Sequence, residues 1–364
     1  MKKKINLLLV SANFMPGSGV GIVEHGIRLY GGIQKYAKDI NARPFSLFGD
    51  SFFYMINRKT RNLGPSKLKK NHNKIANPDI IHYLSPGAFM SSMLIRPLFN
   101  MKAKQIVTIH DLDMINKIPK IGIHNYTNKA SSHGSMKTVN SFLNLMEKRG
   151  IALSLKKADH LLCVSENTKN DLIRTFGVPS DKISVIYNIV GSNFKKTAGK
   201  RDNKKIIIGH LSSYAYNKNA EVLVKAFKNV KSDKFELHLY GAKLPFDISD
   251  DKRIKYFGYA DDVVKMYNSF DVFVFPSLWE GFGMPIMEAK KCMLPVITYK
   301  HGELPDIVKR NTLQFNDVND LSKILEGRKW SKINLKAAYE DTKKCGEKYI
   351  INMTEKLYKK VLED

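Results

Sequence analysis

The residue types best suited to chemistry lie in one segment, residues 271–295, which reads DVFVFPSLWEGFGMPIMEAKKCMLP. Its apolar start predicts a buried strand, and Pro285 suits the first turn of a helix, where a missing N–H costs nothing. Between them, Gly281 and Gly283 allow close approach of the backbone to a ligand and unusual φ values. A helix N-terminus behind such a loop presents free N–H groups and a positive dipole end, which together bind anions.

Two acidic residues bracket this loop. Glu280 precedes the glycines, and Glu288 follows eight positions later, in what is predicted to be the first turn of the helix. Acids favour loops and helix starts on their own account. The whole arrangement nevertheless suits a sugar linked to a diphosphate, because such a ligand needs N–H donors for its phosphates and acceptors for hydroxyls on either side.

This segment resembles the signature of the family 4 retaining glycosyltransferases, also described as glycosyl transferases group 1, in which two glutamates are separated by seven residues. Other motifs resemble further landmarks of that family, in the family's order, over roughly residues 30–310. They are Gly31-Gly32, TIHD at 108–111, CVSENTK at 163–169, VIYN at 185–188, GHL at 209–211, NKN at 217–219 and GELP at 302–305.

The resemblance implies a GT-B fold: an α/β protein with two Rossmann-like doubly wound domains that face each other across a cleft. Residues 1–195 would form the acceptor-side domain, joined by a C-terminal helix at about 345–364 that crosses back to it. Residues 204–344 would form the nucleotide-sugar-binding domain. The implied activity is retaining transfer of a hexose-type sugar from a UDP- or GDP-linked donor to a glycan or lipid-linked acceptor.

The resemblance also assigns roles. Glu280 and His110 are expected to contact the donor sugar, and Lys218 to neutralise the diphosphate leaving group, whose developing charge is the main electrostatic problem of the reaction. Glu288 is expected to accept hydrogen bonds from the ribose hydroxyls. The other expected donor-binding residues are Gly31, Gly32, Gly281, Phe282, Gly283 and Met284. The resemblance implies that no metal ion is needed, and no cofactor is expected beyond the nucleotide sugar, which is a co-substrate.

One departure from the family pattern leaves an alternative open. The family often places an arginine close to the lysine, but His210 and Asn217 occupy those positions here. A catalytically inactive nucleotide-sugar-binding protein, a sensor or a scaffold, therefore remains an alternative.

The run Asp111-Leu112-Asp113 superficially matches a metal-binding motif and is interpreted as not binding metal. A sugar-nucleotide epimerase fits less well, and the lack of GxGxxG after the first strand disfavours a dehydrogenase.

Hydrophobic patterning predicts the elements that must position these residues. Short apolar runs alternate with longer helical stretches, which is typical of a parallel α/β architecture. The predicted strands are 5–10, 79–84, 105–110, 160–164, 183–187, 205–209, 235–240, 255–257, 271–275, 295–298 and 313–315. The predicted helices are 220–230, 262–268, 285–292 and 320–325, with a tail helical throughout from 332 to 362. His82 either lines the predicted cleft or is a core histidine, and residues 123–136 are predicted to form a loop.

The charge of the chain bears on its binding partners, and its cysteine content bears on the cellular compartment. Of the 364 residues, 60 are basic and 34 acidic, and residues 1–202 alone hold 32 of the basic and 12 of the acidic ones. This excess of basic residues either forms a solvated basic surface or attracts the protein to an anionic membrane surface. No nucleic acid partner is expected. No apolar run approaches the roughly 20 residues that span a bilayer. Three widely spaced cysteines favour a reducing, cytoplasmic setting, with peripheral attachment to the inner face of the membrane as a further hypothesis.

Overall fold

The computed structural model of the chain describes residues 4–11, 21–46, 77–93, 102–112, 151–197 and 205–364. The described residues form two compact units. The first contains those up to Ile189 together with Glu347–Asp364, and the second those from Val190 to Gly346. Within the described part of the chain, no helix is long and apolar enough to cross a membrane. The predicted loop at 123–136 and Asp113 lie outside these residues.

The first unit is built on a six-stranded parallel sheet with the order β2-β1-β3-β4-β5-β6. Its strands are β1 Ile5–Ser11, β2 Ile40–Ser46, β3 Ile80–Tyr83, β4 Lys104–Ile109, β5 His160–Cys163 and β6 Ile183–Val185. The sequence predicts five of them and misses β2, whose run INARPFS lacks the apolar character of a central strand. The position of β2 explains this composition, because an edge strand tolerates Pro44 and exposed polar side chains.

Both faces of this sheet are buried, as parallel sheets require. The helices of this unit include α1 Gly21–Tyr36, α2 Pro86–Met93 and α3 Glu166–Phe176, and residues 151–157 are also helical. Alternate strand residues such as Leu7 and Leu9 pack with Leu29 of α1, whereas Leu8 and Val10 belong to a cluster on the other face, with α2 and α3. Such sheets bind ligands at the carboxyl ends of their strands.

The second unit contains a second parallel sheet, with the order β12-β11-β10-β7-β8-β9. Its strands are β7 Ile206–Ser212, β8 Phe235–Gly241, β9 Ile254–Tyr256, β10 Val272–Phe275, β11 Val296–Tyr299 and β12 Leu313–Phe315. All six are predicted from the sequence. The helices are α4 Ala220–Lys228, α5 Val263–Asn268, α6 Met284–Lys291, α7 Asp306–Lys309, α8 Val318–Glu326 and α9 Leu335–Lys343. Asp262 caps α5 by accepting the Lys265 N–H at 2.9 Å, which confirms its interpretation as a helix start.

The tail predicted to be helical throughout from 332 to 362 is interrupted. The structure has two helices, α9 and then α10 Glu347–Glu363, and the second corresponds to the C-terminal helix implied at about 345–364. At this break the backbone is engaged elsewhere, because the Val190 N–H donates to the Cys345 carbonyl at 2.9 Å. After the break, α10 contributes Ile351 and Tyr358 to the core of the first unit. The expected return of the C-terminal helix to the first domain is therefore confirmed.

His82 is a core residue rather than a cleft residue. Its Nδ1 lies 2.7 Å from the Tyr358 hydroxyl on α10, and its Nε2 lies 2.7 Å from the Thr108 hydroxyl on β4. Burial lowers the pKa of His82 to about 3, so the ring is neutral. Both ring nitrogens are thus used, Nδ1 in holding α10 to the sheet and Nε2 in linking β3 to β4.

Candidate functional site

The glycine-containing loop of the second unit joins β10 to α6. Gly283, just before the helix, has φ of 98°, a left-handed conformation that side-chain-bearing residues rarely adopt. A Cβ atom there would also lie 3.1 Å from the Val308 side chain. Glycine is therefore required at the point where the loop turns into the helix, whose N-terminus is the kind of backbone feature that binds anions.

Two distant segments of the chain hold this loop in place. The Asn217 side-chain amide donates to the Trp279 carbonyl at 3.1 Å, and the Leu278 N–H donates to the Asn217 carbonyl at 2.7 Å. On the other side, the Glu303 N–H donates to the Leu278 carbonyl at 2.8 Å, and the Glu280 N–H donates to the Glu303 carbonyl at 3.2 Å. The motifs around Asn217 and Glu303 thus serve to position the loop.

Lys218 and Glu280, both predicted site residues, form an ion pair. The Lys218 Nζ lies 2.6 Å from Glu280 Oε1, and their side chains are only 19% and 11% exposed. Lys218 ends a 3₁₀ turn, Tyr216–Lys218, that follows β7, and its ammonium group lies 5.8 Å from the centre of the Phe275 ring. Each partner therefore holds the other in place, with little competition from water.

Glu288 lies on the same helix that the loop opens, but not where the sequence predicts. Because α6 begins at Met284, one residue before Pro285, Glu288 falls in the second turn rather than the first. It is 7% exposed and accepts a hydrogen bond from the Tyr267 hydroxyl at 3.2 Å. Sequence analysis misses Tyr267, since only the packing of α5 against α6 brings it to Glu288.

The two positions where the family often has arginine carry no cation. His210 is fully buried, with its ring nitrogens 2.9 Å from the Val274 carbonyl and 2.9 Å from the Ser212 hydroxyl. Burial lowers its pKa to about 4, so the ring is neutral near pH 7. Asn217 is buried and holds the loop. Lys218 is consequently the cation that this motif supplies.

The glycine pair, predicted to bind the donor, lies in a helix. Gly31 and Gly32 are in the last turns of α1, at the end of that helix farther along the chain from β1. A Cβ atom on Gly32 would lie 2.8 Å from the Ile351 side chain of α10, whereas one on Gly31 would meet no described atom within 4 Å. Close packing of two helices therefore explains Gly32, and donor binding by the pair stays a prediction.

Alanine substitutions distinguish packing from ligand binding at the pair. Gly32→Ala is expected to destabilise the protein by about 1 to 2 kcal/mol, because the methyl group overpacks the contact with the buried Ile351 side chain. Gly31→Ala, the matched control in open space, is expected to stabilise it by about 0.5 to 1 kcal/mol, since alanine favours the helix. Urea denaturation measures both changes. Weaker nucleotide-sugar binding by Gly31→Ala would support the predicted role of the pair in donor binding.

His110 follows β4 in the first unit, as predicted. Its Nε2–H donates to the Leu84 carbonyl at 3.0 Å, so Nδ1 carries the free lone pair of the neutral ring. Burial lowers the pKa of His110, against the opposing effects of Asp111 and of the Leu84 hydrogen bond. Its contact with a donor sugar stays a prediction. Among the described residues, no cluster of three or more histidine, cysteine, aspartate or glutamate side chains could hold a metal ion.

Comparison with known proteins supports the interpretation of both units. Residues 39–193 match the family described as Glycosyltransferase Family 4, and residues 204–326 match Glycosyl transferases group 1. An uncharacterized glycosyltransferase of Methanocaldococcus jannaschii is 27% identical over 181 residues, 43% of this chain and 46% of that protein. The serotype-specific mannosyltransferase WbdA of Escherichia coli is 24% identical over 306 residues, 74% of this chain and 35% of that protein. The chain thus spans half the length or less of these curated relatives.

The fold has close relatives among solved structures. The Anabaena protein HepE, solved in complex with UDP-glucose, superposes with a TM-score of 0.68 at 18% identity, covering 98% of this chain and all of that one. At such low identity the likeness concerns the fold, and it confirms the expected two-domain GT-B architecture. Since the two family matches together cover about three quarters of the chain and carry the motifs described above, the protein belongs to the family 4 glycosyltransferases of group 1.

Proposed function

We propose that this protein is a retaining glycosyltransferase that moves a hexose-type sugar from a nucleotide-sugar donor to a glycan or lipid-linked acceptor, without a metal ion. The observation that carries the proposal is the Lys218–Glu280 ion pair of 2.6 Å, placed beside the loop that opens α6. One positive charge, one carboxylate and a helix N-terminus are the groups that a sugar diphosphate needs, and all three belong to the second unit.

The donor would bind along α6. Its diphosphate would lie at the loop of Gly281, Phe282 and Gly283, with Lys218 as counter-charge. The carboxylate of Glu288, fixed by Tyr267, would accept hydrogen bonds from the ribose hydroxyls. Glu280 would contact the transferred sugar. Lys218 makes a metal ion unnecessary in this proposal, because its ammonium group can stabilise the charge that develops on the leaving diphosphate.

The reaction would retain the anomeric configuration by attack on the same face as the leaving group. The acceptor oxygen would bond to the anomeric carbon as the bond to the diphosphate oxygen breaks. The acceptor proton would pass to the departing phosphate, so no separate base is needed. This course is characteristic of the family that the chain belongs to, and the charge on Lys218 would assist it by stabilising the phosphate.

The relatives and the charge distribution support the proposed acceptor class. WbdA is a serotype-specific mannosyltransferase, and the excess of basic residues in the first 202 positions suits an acceptor presented at an anionic surface. A glycan or lipid-linked acceptor is accordingly proposed. The base of the donor is either uracil, as in the nucleotide bound to HepE, or guanine.

A panel of UDP-, GDP- and ADP-sugars, tested without acceptor in Mg²⁺ or in EDTA, examines this proposal. We expect one nucleotide class to raise the melting temperature, because ligand bound to the folded state stabilises it by mass action. The same sugar nucleotide should be slowly hydrolysed at equal rates with Mg²⁺ and EDTA. Thermal shift and release of free nucleotide are the two measurements.

Two variants, tested with the same panel of sugar nucleotides, assign the roles of Glu288 and Glu280. Glu288→Ala is expected to weaken nucleotide binding about 10- to 100-fold, since hydrogen bonds to a charged acceptor are lost. Glu280→Ala should keep most of the thermal shift and lower the rate of hydrolysis. Near-wild-type behaviour of both variants would contradict the site. Stabilisation of the wild-type protein by a donor, with neither hydrolysis nor transfer to any acceptor, would favour the sensor or scaffold alternative.

A further inference from the structure

A second histidine lies beside His110 in the first unit. His25 is on α1, the helix that follows β1, and its ring centre lies 5.3 Å from that of His110, with the two rings at 84°. His110 directly follows β4, and its hydrogen-bond partner Leu84 directly follows β3. The strands β1, β3 and β4 are neighbours in the sheet. The two histidines therefore lie together at the carboxyl edge of three adjacent strands, where parallel sheets bind ligands.

His25 is buried and lacks a hydrogen-bond partner among the described residues. Only 7% of the residue is exposed, and no described group lies within hydrogen-bond distance of its Nδ1 or Nε2. A buried polar atom without a partner is costly, and native proteins rarely leave both nitrogens of one ring in that state. Stability therefore does not explain why a histidine occupies this position.

His82 shows what a structural histidine looks like in the same sheet. It is fully buried, and both of its ring nitrogens are 2.7 Å from a hydroxyl group. The contrast with His25 lies in the partners and not in the burial. Since proteins accept unfavourable local arrangements chiefly at functional sites, the free nitrogens of His25 point to a ligand.

The protonation state of the pair limits what that ligand can be. Burial first, and then the nearby His110, His82 and Arg28, hold the pKa of His25 well below its ordinary value. The neutral ring has one N–H donor and one acceptor nitrogen. A phosphate offers only acceptors at full ionisation and would leave the acceptor nitrogen unsatisfied. Each hydroxyl of a sugar can both donate and accept, so one hydroxyl can accept from the N–H while a second donates to the other ring nitrogen.

We propose that His25 is a substrate-binding residue whose two ring nitrogens hydrogen-bond two hydroxyls of one sugar next to His110. The proposal rests on the proposed function, because it assumes that a sugar is bound at this edge of the first sheet. The hydroxyls belong to the donor sugar or to the acceptor sugar. The chemistry of recognition is the same for both, and the arms of the experiment tell them apart.

Three variants test the proposal. His25→Leu removes both nitrogens at similar volume, His25→Gln keeps one donor and one acceptor, and His82→Leu is the matched control at a partnered histidine. Thermal unfolding without ligand should leave His25→Leu at or above the wild-type melting temperature. His82→Leu should melt at least about 3 °C lower, because it leaves two buried hydroxyls unpaired. A similar loss for His25→Leu would overturn the proposal, since it would make the role structural.

Kinetics then identify the sugar. Hydrolysis of UDP-glucose and GDP-mannose without acceptor reports on the donor sugar, and transfer to methyl α-D-mannopyranoside at saturating donor reports on the acceptor. We expect His25→Leu to lower kcat/KM about tenfold, with His25→Gln recovering part of the loss. A loss already present in hydrolysis assigns the donor hydroxyl, and a loss confined to transfer assigns the acceptor hydroxyl. Rates within twofold of wild type in both arms overturn the proposal.

A binding measurement separates this proposal from the proposed function. Ring ¹⁵N resonances of His25, assigned from the His25→Gln spectrum, are followed during titration with UDP-glucose, GDP-mannose and methyl α-D-mannopyranoside. A saturable shift supports sugar binding at His25 even in a chain that transfers nothing. Resonances that stay unchanged up to saturation of the thermal shift overturn the proposal, while an active wild-type enzyme would keep the proposed function intact.

Discussion

Replacing Lys218 by methionine is expected to lower kcat by about 10²- to 10³-fold, the range seen when an enzyme loses one preorganised group that stabilises developing charge. Lys218 is the cation that the motif supplies, since His210 is neutral and Asn217 is engaged in holding the loop. Nothing at the two family arginine positions can replace it. Methionine keeps the length and apolar stem of lysine, so the change isolates the charge.

The measurement is the steady-state rate of donor hydrolysis or transfer, together with the melting temperature. Lys225→Met, on the exposed face of α4, is the matched control and should leave kcat unchanged, because its side chain is 68% exposed. A kcat for Lys218→Met within threefold of wild type would remove the role assigned to this residue. The double variant with Glu280→Gln should lose less than the product of the two single losses, since the two side chains position each other.

The second large effect concerns stability. Asp341→Asn is expected to destabilise the second unit by about 3 to 5 kcal/mol, the usual cost of leaving a buried charge without its partner. The Lys290 side chain is 0% exposed, and its ammonium group lies 3.1 Å from Asp341. It donates also to the Ile307 and Arg310 carbonyls, at 3.3 and 2.6 Å. The Arg310 guanidinium binds the other Asp341 oxygen at 2.7 Å.

The pH dependence of this loss has a definite sign. Burial lowers the pKa of Lys290, and Asp341 opposes that effect. Without the carboxylate the pKa of Lys290 falls further. The folded state then binds fewer protons than the unfolded chain over a wider pH range, between the lowered pKa of Lys290 and the ordinary lysine pKa. Stability then rises with pH across that range. The destabilisation should therefore be largest near neutral pH and shrink toward about pH 10, near the ordinary lysine pKa.

Urea denaturation followed by tryptophan fluorescence measures this change in the second unit alone, because both tryptophans of the chain, Trp279 and Trp330, lie there. Glu340→Gln is the matched control on the same helix. Its exposed pair with Lys343 is worth about 0 to 1 kcal/mol. A loss for Asp341→Asn no larger than that of the control, or one that grows with pH, would contradict the account of a buried charge.

This buried cluster also bears on function. Lys290 and Glu288 lie two residues apart on α6, and the ion pair of Lys290 with Asp341 anchors that helix to α9. A helix that must present an anion-binding N-terminus and a carboxylate at fixed positions benefits from such an anchor. We therefore expect donor affinity to fall along with stability in Asp341→Asn.

Apolar periodicity in the sequence is sufficient to predict most of the fold. Eleven of the twelve strands follow from short apolar runs, because strands buried on both faces need continuous apolar sequence. The exception, β2, lies at a sheet edge where that requirement is relaxed. Apolar patterning alone does not reveal the break before α10, since Cys345 and Gly346 leave the helix to pair with Val190, which lies about 155 positions earlier.

The sequence by itself determined the residue types of the candidate site, namely the two glutamates, the lysine and the glycine that starts α6. Backbone geometry and charge impose these residue types locally, so they can be recognised in the sequence by their fixed spacing. Only the tertiary structure decided which groups meet: Lys218 with Glu280, Tyr267 with Glu288, Gly32 with Ile351, and His25 with His110. Such contacts depend on the packing of elements far apart in the chain. The sequence around each of these side chains does not indicate which residue it will contact.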